Sequence, residues 1–338
     1  MRVLRWMALL LTLLVSPAQA KDTLFILIPV GPGSISDVYA RLLQRHLGKY
    51  FPQETEIVIQ NMPGAGGAKL CNYLLTPLAG SEKIALLSPG IGAKLLGDAA
   101  FASCTLEKLV DLGAGDEGGR LLLFRRAVGV EHPEDLVKLS GSTLYVASTA
   151  KTSFTVLMSK SLLNSHGITL VSPGVYDGAQ STLLAAQRGE ADVAMQSATD
   201  YLNAPKAGMV AVCAFGTIKN ERVARDPEIP NLPTCTELAA RRQGAETPEQ
   251  KLMTAVTKVA LLGNPFFAPS DFPKDKVALV RDALARVHRD PAYLGEAAKL
   301  GMSTTFLEAE RFRSRREGLI KELDEVGIGE LIDSVFGR

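Results

Sequence analysis

The chain has 338 residues, 46% of them hydrophobic, and its 37 basic residues nearly balance its 36 acidic ones. A formal net charge of +1 gives no support to the binding of nucleic acid or of an anionic membrane surface. A chain of this length exceeds the size at which a single hydrophobic core usually stops growing, so we expect two lobes.

Residues 1–20 have the pattern of a secretory signal peptide. Arg2 and Arg5 precede an apolar segment at 7–15, and Ala18-Gln19-Ala20 forms a small-residue cleavage site before Lys21. The apolar segment is too short to span a bilayer. Cleavage after Ala20 would leave 35 basic against 36 acidic residues, and we expect the mature chain to work in the periplasm.

Beyond the signal, short apolar segments alternate with helical patterns. This alternation predicts βαβ units and largely parallel sheets. The strands we predict are 24–30, 56–61, 83–88, 120–126, 143–147, 168–171, 191–195 and 209–215. The first predicted helix begins at Asp37. Further helices are predicted at 153–163, 179–188 and 274–287, and a charged amphipathic helix at 308–325.

The order of these elements predicts how the chain is divided between the lobes. No strand is predicted in the tail from about residue 248, so the tail should return to pack on the first sheet. We therefore assign 21–122 plus 220–338 to the first lobe and 123–219 to the second, with crossings near 120–128 and 212–222.

Two glycine-rich turns in the first lobe each connect a strand to a helix. Backbone N–H groups in front of a helix N-terminus can hold a carboxylate or phosphate without a dedicated cation. The alternative for the first turn is a tight turn in which Asp37 only caps the helix; for the second it is a flexible loop. The candidate ligand-binding residues are Val30, Gly31, Pro32, Gly33, Ser34, Ser36, Asp37, Gly64, Ala65 and Gly66.

Two strand-to-helix connections in the second lobe supply further candidates. Hydroxyl groups and the Lys151 ammonium could complete an anion site from the far side of a cleft, whereas the alternative is ordinary capping of helices. These candidates are Ser148, Lys151, Thr152, Ser153, Tyr176, Gly178 and Ala179.

Other motifs are set aside. The segment 113–118 matches Gly-x-Gly-x-x-Gly but precedes a strand, so no helix N-terminus would face a dinucleotide. The four histidines lack metal-ligand spacing and no nucleophile elbow is present, so we expect no metal, cofactor or catalytic site. The four cysteines allow three full pairings, which the sequence leaves open, and Cys213 could equally be a small core residue.

Taken together, the motifs resemble those of the substrate-binding receptors of tripartite tricarboxylate transporters, the Bug-type receptors. The resemblance lies in 28–37 followed by Ala40-Arg41, in 61–67, 176–179 and 189–193, and in 230–234 with Glu237, in that order. Ser34 departs from the family pattern, where a second glycine is usual.

The resemblance implies an α/β, two-lobed periplasmic-binding-protein-like fold of type II, each lobe a mostly parallel sheet flanked by helices, with a ligand cleft between the lobes. It also implies a non-enzymatic receptor for a small organic carboxylate, and we expect the receptor to be a monomer. Such a receptor delivers its ligand to a two-part membrane permease. The alternative is an extracytoplasmic receptor that signals to a sensor kinase.

Overall fold

The computed structural model describes most of the chain after the predicted signal. The described residues are 22–52, 55–76, 82–87, 90–95, 101–115, 119–148, 153–176, 179–198, 201, 208–219, 222–227, 229–240, 247–300, 302 and 304–336. The predicted signal peptide lies outside these ranges. Among the described residues, none of the helices is long and apolar enough to cross a membrane.

The first sheet has six strands: β1 (Thr23–Ile28), β2 (Glu56–Asn61), β3 (Glu82–Leu86), β4 (Leu109–Gly115), β12 (Asn264–Pro269) and β13 (Phe306–Glu308). Their order across the sheet is β13-β4-β12-β3-β1-β2. The helices that accompany it are α1 (Ile35–Leu47), α2 (Ala68–Leu74), α3 (Gly90–Leu95), α8 (Lys274–Val287), α9 (Pro291–Lys299) and α10 (Ala309–Glu325). On α1, Leu42, Leu43 and Leu47 are fully buried and form the apolar stripe of this helix.

The second sheet has three strands, β5 (Arg120–Arg125), β8 (Val193–Ser197) and β9 (Met209–Ala214), and β5 lies between the other two. A separate two-stranded parallel sheet is formed by β6 (Thr143–Tyr145) and β7 (Thr169–Val171). A parallel bridge between Val146 and Val193 connects the β6–β7 pair to β8. The helices beside it are α4 (Phe154–Ser165) and α5 (Ala179–Arg188).

The other described strands and α-helices lie in sequence between β9 and β12, or at the carboxyl end. They are the hairpin β10 (Thr217–Lys219) and β11 (Arg222–Ala224), and the helices α6 (Cys235–Ala240), α7 (Pro248–Ala260) and α11 (Ile328–Phe336). Helix α7 packs against α4 of the second lobe and also against α11.

The α/β fold class is confirmed, but the expectation of mostly parallel sheets is wrong. Parallel pairing holds for β1 with β2 and β3, and for β6 with β7. Strand β12 is antiparallel to β3 and β4, and β5 is antiparallel to β8 and β9. The chain leaves the first sheet at Gly115 and re-enters at Asn264, directly beside Gly115. Because β12 begins at the end of the sheet where β4 stops, β12 must run antiparallel to β4.

The tail also contains strands, contrary to the sequence prediction. Strand β12 lies inside the first sheet, and its sequence Asn-Pro-Phe-Phe-Ala-Pro carries two prolines, which are normally excluded from central strands. The Pro265 carbonyl accepts from the Leu87 N–H at 2.9 Å, and the register shifts just after it, between Phe266 and Phe267. Pro269 is the last residue of the strand. The two phenylalanines are fully buried in the cores on the two faces of the sheet.

The connection from β9 back to β12 contacts elements of the second lobe. Ala214 forms a parallel bridge with Thr234, and α6 and α7 contact α4. The lobe boundaries proposed from the sequence stay a prediction.

Two disulfide bonds resolve the pairing that the sequence leaves open. Cys71 of α2 is bonded to Cys104, and Cys213 of β9 is bonded to Cys235 of α6. Cys213 is therefore both a buried core residue and a disulfide partner. The Cys213–Cys235 bond closes a loop of the chain that contains the β10–β11 hairpin.

Candidate functional site

The first glycine-rich turn follows β1 and leads directly into α1. Ser34 is the N-cap of α1: its hydroxyl accepts a hydrogen bond from the Asp37 N–H at 3.3 Å and donates one to the Gly31 carbonyl at 2.9 Å. Pro32 and Gly33 are exposed, whereas Ser36 is buried. The turn therefore presents backbone to solvent, while the Ser34 hydroxyl is used within the turn itself.

Asp37 is held inside this part of the structure and is only 3% exposed. It accepts hydrogen bonds from the Gly33 N–H at 2.8 Å, from Arg41 Nε at 3.0 and 3.1 Å, and from Asn61 Nδ2 at 2.9 Å. Burial alone would raise the pKa of Asp37, but these donors outweigh it and lower the pKa below its ordinary value. The Asp37 carboxylate therefore accepts hydrogen bonds within the protein and holds the turn in shape. This role resembles the helix-capping alternative for Asp37 more than direct contact with a ligand.

The second glycine-rich turn follows β2 and leads through a short 3-10 turn at Ala65–Gly67 into α2. Gly64 has φ +143°, a conformation that side chains rarely adopt, and Ala65 has φ +47°. A left-handed alanine costs about 1–2 kcal/mol, so its surroundings must hold this turn in place. Gly64 and Ala65 are exposed.

Asn61 connects the two turns. It lies at the end of β2, opposite Ile28 at the end of β1. Its Nδ2 donates to the Val30 carbonyl at 2.9 Å as well as to Asp37, and its Oδ1 accepts from Arg41 Nη2 at 3.1 Å. Asn61 and Arg41 were not among the candidate residues. The parallel pairing of β1 and β2 was the signal that could have placed Asn61 beside the first turn.

The second-lobe candidates lie in a different setting. Ser148 is fully buried, and its hydroxyl lies 3.3 Å from the Ser172 hydroxyl. Its carbonyl accepts from the Tyr176 N–H at 2.9 Å, which brings these two candidates together. Ser153 caps α4 through the Val156 N–H at 3.5 Å.

The other second-lobe candidates are less fully described. The Tyr176 side chain packs beside Ala147, Ala185 and Ala191. Lys151, Thr152 and Gly178 lie outside the described residues, and Ala179 opens α5. A cleft between these residues and the first-lobe turns stays a prediction.

The motif at 189–193 has a structural explanation. Asp192 is buried and accepts from Arg125 Nη2 at 2.7 Å and from the Tyr145 N–H at 3.0 Å. Asp192 directly precedes β8, so these two bonds connect β5 and β6 to the start of β8. The motif at 189–193 therefore has a structural role in the second lobe.

The motif at 230–237 likewise shapes the backbone. The Thr234 hydroxyl accepts from the Glu237 N–H at 3.0 Å, and Glu237 Oε2 accepts from the Thr234 N–H at 3.1 Å. These reciprocal bonds form a capping box at the start of α6. The Pro233 carbonyl accepts from the Ala214 N–H at 3.0 Å, which attaches this segment to β9.

The glycines at 113 and 115 are explained by packing within the first lobe. A Cβ atom on Gly115 would lie 1.9 Å from the hydroxyl of Tyr39, and one on Gly113 would lie 2.4 Å from Phe306. Both glycines allow aromatic side chains to approach β4 closely.

Within the described residues, the histidines serve in packing and hydrogen bonding. His288 is buried, stacks on Phe306 with ring centroids 4.4 Å apart, and contacts the Tyr39 hydroxyl at 2.9 Å. His46 Nε2 lies 2.7 Å from Glu296 Oε2. The described part of the chain has no group of three or more His, Cys, Asp or Glu side chains that could hold a metal ion.

A cavity of about 450 Å³ has no residue of either glycine-rich turn in its lining. It is lined by apolar residues and by two arginines that contact Asp111, and it includes none of the sequence-predicted candidates. The lining residues are Leu106, Glu107, Leu109, Val110, Asp111, Arg313, Arg316, Glu317 and Ile320.

No family model matches the chain, and no curated relative matches it. Solved structures do resemble it over nearly their whole length. A TctC solute-binding protein from Polaromonas is 14% identical with a TM-score of 0.59, over 92% of this chain and 99% of that one. MatC from Rhodopseudomonas palustris, with bound malate, is 20% identical with a TM-score of 0.60, over 93% and 99%.

A further Rhodopseudomonas palustris protein, solved with adipate, is 18% identical with a TM-score of 0.66, over 94% of this chain and 98% of that one. At these identities the similarity establishes the fold. The chain has the two-lobed α/β fold seen in these solved structures. It shares that fold with the TctC solute-binding protein, which belongs to the kind of protein that its motifs resemble.

Proposed function

We propose that this chain is an exported receptor that binds a small organic carboxylate and catalyses no reaction. The observation that carries the proposal is the pair of glycine-rich turns at the adjacent ends of β1 and β2, connected by Asn61. Ligands of open α/β sheets bind beyond the carboxyl ends of the strands, and a helix N-terminus favours an anion there. The structures of this fold that hold malate and adipate support an acid as the ligand.

The finer parts of the proposal extend the same argument. The chain would be cleaved after Ala20 and act as a monomer in the periplasm. It would close its two lobes on the acid, with the second-lobe candidates completing the site, and would pass the acid to the two-part permease of a tripartite tricarboxylate-type transporter.

Calorimetric titration and thermal unfolding of the mature chain test the binding proposal. The probes are malate, adipate, citrate, an aromatic acid and amino acids, with glucose and spermidine as controls. A ligand that binds only the folded state stabilises it by about 2.7 kcal/mol at 100 times its Kd. Response to a sugar or polyamine, with none to any acid, would contradict the assignment.

The proposed absence of catalysis and the transport role need separate measurements. Mass spectrometry after prolonged incubation should recover the bound acid unchanged. Uptake of the same acid by vesicles that contain the permease subunits should depend on added receptor, and uptake that proceeds equally without it would argue against delivery.

A further inference from the structure

We propose that Asn61 is a positioning residue, and that the turn brace of Asn61, Asp37 and Arg41 holds the two glycine-rich turns in the geometry that binds the ligand. The ligand-binding half of this statement rests on the proposed function. The connection between the turns stands on the structure alone.

Asn61 donates hydrogen bonds to residues on both sides of the first turn. Val30 lies just before that turn and Asp37 lies in the first turn of α1, and Nδ2 donates to both at 2.9 Å. Asp37 in turn accepts from Gly33, the central exposed residue of the turn, at 2.8 Å. A single side chain at the start of the second turn therefore fixes the entry, the middle and the exit of the first.

Arg41 completes the brace. Its Nε donates to Asp37 and its Nη2 to Asn61 Oδ1 at 3.1 Å, so each of the three side chains contacts the other two. The Asp37 carboxylate is occupied by these donors and is nearly fully buried. The brace therefore acts on a ligand through the backbone that it positions.

Truncating Asn61 should loosen the turns while leaving the sheet intact. The backbone pairing of β1 with β2 and the bond from the Met62 N–H to the Ile28 carbonyl do not use the Asn61 side chain. The Val30 carbonyl would lose its Asn61 donor, and Asp37 would lose one of its donors. We therefore expect truncation of Asn61 to change the position of the first turn more than the stability of the sheet.

Hydrogen exchange of the ligand-free chain tests the connection directly. The variants are Asn61→Ala and a matched control, Asn72→Ala, at an exposed position in α2. We expect faster exchange across 30–37 in Asn61→Ala, although the substitution lies in the other turn, and parental exchange in the control. Unchanged exchange across 30–37 would overturn the proposal, whether or not the parent binds an acid.

Titration with malate and adipate tests the effect on the ligand, under conditions in which each variant is folded. We expect Asn61→Ala to bind about 10- to 100-fold more weakly, the loss that follows removal of an orienting partner in metal sites. Equal affinity in the parent and Asn61→Ala would overturn the positioning role. If the parent binds neither acid, that result counts against the proposed function and the exchange measurement alone decides on the brace.

Asn61→Asp supplies a readout that a merely structural role would not change. The charged groups that contact Asn61 in the described structure are Asp37 and Arg41. The introduced carboxylate would face Asp37 at hydrogen-bond distance, so the two repel until they share a proton. Affinity relative to the parent should recover in part as the pH falls from 7.5 to 5, because the shared proton restores a bond to Asp37 while the Val30 carbonyl still lacks its donor. A gap independent of pH would contradict the donor role of Asn61 toward Asp37.

Discussion

Asp111 shows how one buried side chain can hold several elements of the first lobe together. Its carboxylate accepts from Arg316 Nε at 3.0 Å, from Arg316 Nη2 at 2.9 Å and from Arg313 Nε at 3.3 Å. Its carbonyl accepts from two nitrogens of Arg281. Asp111 is 2% exposed and Arg316 8% exposed, so the ion pair is largely withdrawn from solvent.

The first prediction concerns this ion pair. Asp111→Ala should lower the free energy of unfolding by about 3–5 kcal/mol, because it leaves the buried Arg316 guanidinium without its partner. The matched control is Asp282→Ala, which removes an exposed pair with Arg286 and should cost about 0.5 kcal/mol or less. Urea unfolding measures both, and equal losses would contradict the assignment.

His288 gives the second prediction. Burial lowers the pKa of His288 to about 4, while its Nδ1–H donates to the Leu284 carbonyl and its Nε2 accepts from Tyr39. An unfolded histidine titrates near 6.5, so between pH 6.5 and 4 the unfolded state binds a proton that the folded state does not. The contribution of neutral His288 to the free energy of unfolding is therefore fully present above pH 6.5 and is lost as the pH falls toward 4.

His288→Gln should reduce this pH dependence. The parent should lose about 1.4 kcal/mol per pH unit from this group within the window. Unfolding free energies of the parent and the variant at pH 7, 6, 5 and 4.5 give the difference. Parallel profiles of the two proteins would show that His288 does not remain neutral in the folded state.

At the scale of elements, the disulfides constrain the segments around the two sheets. Cys71–Cys104 spans 33 residues and encloses β3 and α3, and Cys213–Cys235 spans 22 residues and encloses the β10–β11 hairpin. Loop closure of these lengths restricts the unfolded chain in both cases.

The third prediction follows from these loops. Replacing both cysteines of either pair by alanine should lower the unfolding free energy by about 3–4 kcal/mol, since the unfolded chain regains loop entropy. Denaturant unfolding of the two double variants, each against the parent, measures this. A loss under 1 kcal/mol for either pair would show that its loop remains compact after unfolding.

The elements that the sequence predicts correctly are those with a local signal. The strand at 56–61 and the helices at 179–188 and 274–287 are observed with the predicted bounds, because apolar periodicity and flanking turns define them. Strand β12 was missed because its prolines are accommodated by a tertiary partner, Leu87, that no local pattern reveals. The same holds for the site: the two turns were visible in the sequence, whereas the bonds from Asn61 to Val30 and Asp37 depend on pairing between strands.

At the scale of the whole molecule, one hydrophobic core connects the two sheets. Leu27 and Phe267 of the first sheet belong to the same buried cluster as Leu122 and Val212 of the second. The cluster also includes residues of α4, α7 and α11, and Asn164 of α4 donates to the Val335 carbonyl of α11 at 3.4 Å. The lobes therefore share buried surface through the helices behind them.

The fourth prediction follows from this shared core. Because neither sheet can lose its packing without exposing part of the other's core, the mature chain should unfold in a single cooperative transition. Hydrogen exchange at increasing denaturant should release peptides from β1 and β3 at the same concentration as peptides from β5 and β9. A saturating acid ligand should move both sets of peptides together to higher denaturant, since it binds only the folded state. If the second-sheet peptides exchange at a clearly lower concentration than the first-sheet peptides, the lobes unfold independently and the shared cluster does not couple them.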